Sequence, residues 1–363
     1  MKFQDEFRDR ELVAIMADNI RRMAERLEAP VNFMEVCGTH TMSIYQYGIR
    51  SLLPEQIRLV SGPGCPVCVT PIGYVDAALM CASASNTIVA TFGDMLRVPG
   101  SSSSLMEQRA CGKDIRIVYS PLDAVALAKK HPEHTVVFLG VGFETTAPTV
   151  AASILQASTL GLTNYCVLSS HKTMPVPMEL LTADPELNLS GYLCPAHVST
   201  VIGGGAYRPL AEQFRIPCVV TGFEPADVMQ GIEMLTAQQL KGEARVEIQY
   251  SRAVSWEGNP TAQKIIQQVF EPCDAEWRGL GLLPGSGLRI RRELAAYDAE
   301  QALGITIQGG CENPACRCGD ILKGKLSPFD CPLFSESCTP EHPVGACMVS
   351  SEGTCAAAYK YGR

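Results

Sequence analysis

Residues 135–146 read TVVFLGVGFETT. The β-branched run Thr135–Gly140 gives way at glycine to a polar loop, Gly142-Phe143-Glu144-Thr145-Thr146. The run is too apolar to alternate, as expected of a strand covered on both faces of a parallel sheet. Working outward, runs of the same kind recur at Val31–Val36, Ile57–Ser61, Thr87–Thr91, Ile115–Tyr119, Asn164–Ser169 and Cys218–Thr221, with helix-length segments between them. That alternation predicts βαβ units and an α/β architecture between residues 31 and 240. Gly140-Val141-Gly142 is similar to a dinucleotide loop. The third glycine is missing and no Walker lysine follows, so nucleotide binding is not expected.

The strand-end loops repeat weakly. VCGTHT (36–41), SGPGCPVCVTPIG (61–73) and VATFGDMLRVPG (89–100) are answered in the same order by VGFETT (141–146), CPAHVSTVIG (194–203) and VVTGFEPADVMQG (219–231). The expectation is two related Rossmann-like parallel-sheet domains, 31–133 and 134–240, around a central cleft lined by these loops. Ahead of them, residues 1–30 read as an amphipathic helix packing on the body. Leu12, Met16, Met23 and Leu27 fall on one face, and Pro30 ends it. Beyond about residue 240 strands become hard to find. The fold of 241–310 is not legible, apart from Glu276-Trp277-Arg278-Gly279 as an ordered turn. From Gly309 onward Gly, Pro and Cys dominate. So few hydrophobes cannot build an ordinary core, and a metal is the usual substitute staple, so 241–363 reads as a C-terminal metal domain.

Composition narrows the function classes. A formal charge of −8 over 363 residues argues against a general nucleic-acid binder. No apolar run approaches the roughly 18 residues a membrane span needs, and the charged N-terminus has no signal-peptide core. The expected compartment is the cytoplasm, where sixteen cysteines are not a disulfide framework and point instead to metal or thiol chemistry. Cys81, Cys111, Cys166 and Cys218, in apolar or helical surroundings, read as ordinary core residues.

Three groups carry chemistry. The first is Cys311, Cys316, Cys318, Cys331, Cys338, Cys347 and Cys355. Thiolates are soft ligands for zinc, Cu(I) or iron–sulfur clusters. The wide, irregular spacing lacks paired zinc knuckles, and Pro332 and Pro340 follow two of the cysteines closely. Both features favour an iron–sulfur cluster over zinc or plain structural thiols. The second is Gly62-Pro63-Gly64-Cys65-Pro66-Val67-Cys68, after a strand and opening a helix at Pro66. A thiol at a helix N-terminus ionises more easily, and C-x-x-C spacing suits a redox pair or transient metal ligands. The third is Cys37, with His40 three residues on, a nucleophile–base pair or two metal ligands. Gly142–Thr146, Ser170-His171-Lys172, Pro195–Ser199 and Gly93-Asp94 read as polar loops that supply proton donors or orienting groups to the cleft, or merely cap helices. His131 and His134 read as a surface loop and His342 as structural.

EVCGTHT, GPGCPVCVTP, GFETT, PAHVS, GFEP and the ending CPLF…GACMVSSEGTC resemble the HypD family of hydrogenase maturation proteins over about residues 31–360. The resemblance implies a scaffold and redox protein for assembling the Fe(CN)2CO cofactor of [NiFe]-hydrogenase. Its implied partners are a small HypC-type chaperone and a HypE-type cyanide donor, and the chain would be a monomer outside that complex. By motif, Cys37 would hold the transient iron together with the chaperone's terminal cysteine, with His40 as a further candidate ligand. Cys65 and Cys68 would be the redox pair, with His197 and Glu144 positioning the ligand. Cys318, Cys331, Cys338 and Cys355 (C-x12-C-x6-C-x16-C) would hold a [4Fe–4S] cluster. Cys347 competes for a place in that set, and Cys311 and Cys316 lie outside the pattern. The alternative function is a cluster-dependent thiol–disulfide oxidoreductase. A zinc-stapled binding protein is the third reading.

Overall fold

The computed structural model describes residues 5–362. Its strands, in chain order, are β1 (Val31–Glu35), β2 (Ile57–Ser61), β3 (Thr87–Thr91), β4 (Ile115–Ile117), β5 (Thr135–Gly142), β6 (Tyr165–Lys172), β7 (Leu189–Pro195), β8 (Cys218–Thr221), β9 (Val246–Ile248), β10 (Phe270–Trp277) and β11 (Gly281–Ile290). β3 is buried throughout and β5 at all but its first residue, so the apolar runs form strands because helices cover both sheet faces. The strands form two sheets. One is wholly parallel, in the order β2-β1-β7-β8-β9. The other has the order β10-β11-β6-β5-β3-β4, with β3 to β6 parallel and the β10–β11 hairpin added antiparallel at the edge. The chain is therefore α/β with one parallel and one mixed sheet.

The sheets do not follow the split at residue 133. β1 and β2 pair across the molecule with β7 to β9, while β3 and β4 pair with β5 and β6. Each of the repeated halves contributes strands to both sheets, and β9, β10 and β11 bring residues 241–310 into them as well. β7 escaped the sequence reading because Ser190 and Gly191 interrupt LSGYLCP. It nevertheless lies at the centre of its sheet. Between its buried ends Phe270 and Trp277, β10 alternates half-buried and exposed residues over a polar sequence, FEPCDAEW, as an edge hairpin with one solvated face should. Ser170-His171-Lys172 is not a loop but the end of β6, where His171 and Lys172 pair with Leu288 and Gly287.

At the N-terminus a helix spans Arg10–Ala24, capped by Asp9, whose carboxylate accepts from the Glu11 and Leu12 amides. It stops six residues short of Pro30. The buried stripe is Ala17, Ile20 and Ala24, with Val13, Met16 and Leu27 packed alongside, and Leu12 is exposed. The stripe is thus rotated from the one expected, because the small Ala17 and Ala24 let this helix approach the helix Pro225–Lys241 closely. The first four residues of the expected 1–30 helix lie outside the described residues. No helix among the described residues is long and apolar enough to cross a membrane. Of the four expected core thiols, Cys81, Cys166 and Cys218 are buried, whereas Cys111 is exposed at the end of the short helix Leu105–Ala110.

Candidate functional site

In the parallel sheet the connections run outward in opposite directions from β1 and β7, so a crevice opens beyond the C-terminal ends of these two strands. Open α/β sheets bind ligands at such a switch point. Cys37 directly follows β1 and His197 follows β7. The cleft there, about 360 Å³, is walled by Cys37 and Thr39, by Gly64 and Pro66 after β2, by Phe143 and Thr145 after β5, and by His197 and Glu352. Two singled-out loops from each sequence half therefore meet in one place, whereas Asp94 of the expected Gly93-Asp94 loop lies outside this cleft and accepts from Ser350 Oγ at 2.8 Å. Phe143 is backed by Trp277 from the hairpin, the rings stacked at 5.9 Å and 22°. The expected turn at 276–279 is the hairpin's own, with Gly279 at φ +82 and the Arg278 amide donating to Val69 O.

The two cysteine motifs are pressed together by a glycine. The Gly38 amide donates to Gly64 O at 3.0 Å, and a Cβ on Gly64 would lie 2.2 Å from the Cys37 nitrogen. Only glycine permits that approach. Cys65 caps the one-turn helix Pro66–Val69, its sulfur accepting from the Cys68 amide at 3.4 Å. All three thiols are buried. Burial pushes the Cys37 thiol up to about 12, the Glu352 carboxylate adds to this, and the His40 and Thr39 amides oppose it. The Cys68 thiol is pushed well up by burial. A thiolate forms at such sites when a soft cation displaces the proton.

His40 does not face the cleft as a free ligand. Its Nε2–H is shared between Thr221 O and Gly222 O, each at 2.9 Å, and burial lowers its pKa to about 4. It is neutral, with Nδ1 as the lone-pair nitrogen, and Nδ1 is buried without a partner among the described residues. Phe223 is packed between the rings of His40 (4.7 Å) and His197 (4.1 Å). His197 is exposed to the cleft. Partial desolvation lowers its pKa, opposed by Glu352. Glu144 is buried. Its Oε1 accepts from the Met174 amide at 3.0 Å, its Oε2 has no partner among the described residues, and desolvation pushes its pKa up to about 7.

Glu352 was missed by the sequence reading. It belongs to the cysteine-rich ending yet reaches back to the first cleft loop, where it accepts from Thr39 Oγ1 at 2.7 Å. Its only signal was a carboxylate lying between Cys347 and Cys355.

Behind the cleft, a second pocket gathers Cys316, Cys318, Cys331, Cys338, Cys347 and Cys355 among Ile321, Leu333, Phe334 and Met348. The four expected ligands are together, joined by Cys347 and by Cys316, which the motif had left outside. Cys311 is exposed and elsewhere, its amide on Ser101 Oγ. The six are not equivalent. Cys318 Sγ and Cys347 Sγ touch at 2.9 Å, and the Cys347 thiol also meets that of Cys68. The Cys338 sulfur accepts the Val344 amide at 3.3 Å, and a Cβ on Gly345 would come 2.7 Å from the Cys316 sulfur. Among the described residues no three of these sulfurs lie within 4.8 Å of one another. A zinc ion bound by thiolates at about 2.3 Å draws its sulfurs closer than that.

Comparison with known proteins agrees with this geometry. The family model "HypD: Hydrogenase formation hypA family" matches residues 11–362. The chain is 48% identical over 370 residues to a hydrogenase maturation factor HypD of Azotobacter vinelandii, covering 100% of this chain and 97% of that one. It is 47% identical over 371 residues to the protein of that name in Cupriavidus necator (100% and 98% covered). Against the one in Escherichia coli K12 it is 44% identical over 368 residues (99% and 98%). With cleft motifs, cysteine pocket and full-length similarity in agreement, the chain belongs to the HypD family.

Proposed function

We propose that this chain is a hydrogenase maturation factor, a scaffold and redox protein on which the Fe(CN)2CO unit is assembled with HypC-type and HypE-type partners. The observation that carries the reading is the backbone contact that presses the Cys37 loop on the Cys65 loop, together with the thiol contacts that run from Cys65 through Cys68 and Cys347 to Cys318 in the cysteine pocket. The iron is cargo. A soft cation arriving at Cys37 displaces the thiol proton and is held as a thiolate complex. Glu352 beside it is placed to take that proton.

Cyanide delivered as a partner's thiocyanate, R–S–C≡N, must leave with two electrons. The Cys65/Cys68 dithiol supplies them. Its S–S bond forms as the S–CN bond breaks, and the two thiol protons leave with the partner's thiol and with cyanide, which is taken by the iron. Glu144 is buried and readily protonated, and His197 faces the cleft; both are positioned to hold a proton near the departing group.

The donor chemistry of the second pocket fits a [4Fe–4S] cluster: thiols only, apolar walls, an amide aimed at one sulfur, and a span too wide for one ion. The set proposed for the cluster is the motif-based one, Cys318, Cys331, Cys338 and Cys355, with Cys316 and Cys347 in the same pocket and in contact with Cys318. When bound, the cluster supplies single electrons for restoring oxidised thiols. On this reading each sheet is the core of one Rossmann-like unit made from discontinuous sequence, and the cysteine-rich ending from Gly309 is the iron–sulfur unit.

The test is anaerobic purification followed by iron and acid-labile sulfide analysis. About four of each per chain are expected, with additional iron lost in Cys37→Ala. Zinc without sulfide refutes the cluster. Full hydrogenase maturation in cells carrying Cys65→Ala and Cys68→Ala refutes the redox role.

A further inference from the structure

At the far end of β5 from the cleft, roughly 26 Å away for a strand of eight residues, lies the turn His131-Pro132-Glu133-His134. Among the described residues, His131, Glu133 and His134 are the one group of three or more His, Cys, Asp or Glu whose ligand atoms all lie within 4.8 Å of one another. The rings meet edge to face at 5.9 Å, and both Nδ1 atoms face the same carboxylate oxygen, Glu133 Oε1, at 2.8 Å from His134 and 3.6 Å from His131. The backbone beneath is held firmly. The His131 amide ends the helix Pro121–Lys130 on Leu127 O, the His134 amide closes the turn on His131 O, and Pro132 limits the backbone between them. The Asn164 side-chain amide, from just before β6, reaches three carbonyls of this segment: Ala128 at 2.9 Å, His131 at 3.1 Å and His134 at 2.8 Å. A donor set locked by its supporting residues loses little freedom on binding.

We infer that His131, Glu133 and His134 form a metal site of their own, taking a divalent first-row cation in the nickel-to-zinc range, with water in the remaining positions. Two imidazoles and a carboxylate suit these borderline ions, whereas the thiols of the cleft and pocket suit softer ones. The cation replaces Glu133 Oε1 as the point on which the two rings converge.

One neighbour opposes binding. Arg116 Nη1 lies 3.1 Å from His131 Nε2, held there by a two-pronged pair with Asp114 at 2.8 and 2.7 Å. While Arg116 donates to Nε2, the proton of the neutral ring sits on Nδ1. Coordination through Nδ1 moves that proton to Nε2, and Arg116 must swing aside. Metal-bound imidazoles are strengthened when the other ring nitrogen donates to an acceptor. Arg116→Gln, whose amide oxygen accepts from Nε2–H, should therefore bind metal more tightly than the parent chain.

The experiment uses the full untagged chain, purified anaerobically with its thiols and cluster intact and titrated with Ni2+, whose paramagnetism broadens nearby ring protons. The chain has only six histidines, so their ring signals can be followed individually by NMR with labelled histidine. Expected are broadening of the His131 and His134 signals before those of His40, His171, His197 and His342, and about tenfold or greater weakening in His134→Gln. Arg116→Gln should bind several-fold more tightly. The proposal is overturned if these two rings stay sharp while thiols take up the nickel. It is equally overturned if His131→Gln and His134→Gln bind at that site as the parent does.

Discussion

The cleft and the cysteine pocket lie side by side and are both built around sulfur, yet different forces hold them. Cys37, Cys65 and Cys68 follow the ends of β1 and β2 in the parallel sheet, with Phe143 in the cleft wall, Trp277 stacked behind it and Phe223 packed against His197. The pocket is held by short pieces: the helices Cys318–Leu322 and Thr354–Tyr361 and the single turns Pro328–Asp330 and Ala346–Met348. The sheets are cored by aliphatic and aromatic side chains, and the parallel sheet shares one apolar cluster with the pocket. The pocket concentrates its buried surface on sulfur, so its stability is tied to what the sulfurs bind. On the proposed reading the same element is a reagent in one region and a structural staple in the other.

That contrast is broken most severely at the pocket. Cys331→Ala should abolish the cluster absorption and render residues beyond about 309 sensitive to protease, while the sheets keep their far-ultraviolet dichroism. Loss of the whole fold would mean that the two regions are one cooperative unit. Next in size is Gly64→Ala. Its Cβ would drive into the Cys37 backbone, so it should cost on the order of 3 kcal/mol in denaturant unfolding and separate the two cysteine motifs.

A smaller effect concerns Glu144, whose pKa is raised from 4.5 to about 7. The folded chain keeps a proton that the unfolded chain gives up. The stability this contributes is therefore full below pH 4.5 and lost as pH rises through 7. Glu144→Gln should remove this decline, which is a few degrees in melting temperature across that window. An unchanged pH profile would place Glu144 in a wetter setting than its burial implies. Smallest is Glu352→Gln. Burial, not Glu352, is the main cause of the raised Cys37 pKa, so the variant should shift the pH dependence of Cys37 alkylation downward only slightly. A large shift would make the carboxylate the principal control on that thiol.

Much of this was legible in advance because it is local. Runs such as TVVFLG must lie between two apolar layers, and Cys-Pro-Val-Cys places two thiols on one turn whatever surrounds them. The strand-end loops were found without an account of how the strands pair, since each loop is marked by its own glycine and polar residues. Less local features misled. The stripe of the first helix was rotated because two of its three buried residues, Ala17 and Ala24, are alanines, weak as hydrophobic signals. β10 was missed because a half-exposed edge strand has a polar sequence.

The sequence by itself determined the α/β class and the cysteine motifs and loops on which the two proposed sulfur chemistries rest, because chain periodicity and side-chain chemistry act over a few residues. Only the tertiary structure decided the rest. It divided the strands between two sheets across the apparent repeat. It brought Glu352 over to Cys37, joined Cys316 and Cys347 to the pocket, and set Cys318 against Cys347. These are contacts between residues far apart in the chain. They depend on how whole layers pack, and no short stretch of sequence contains that information.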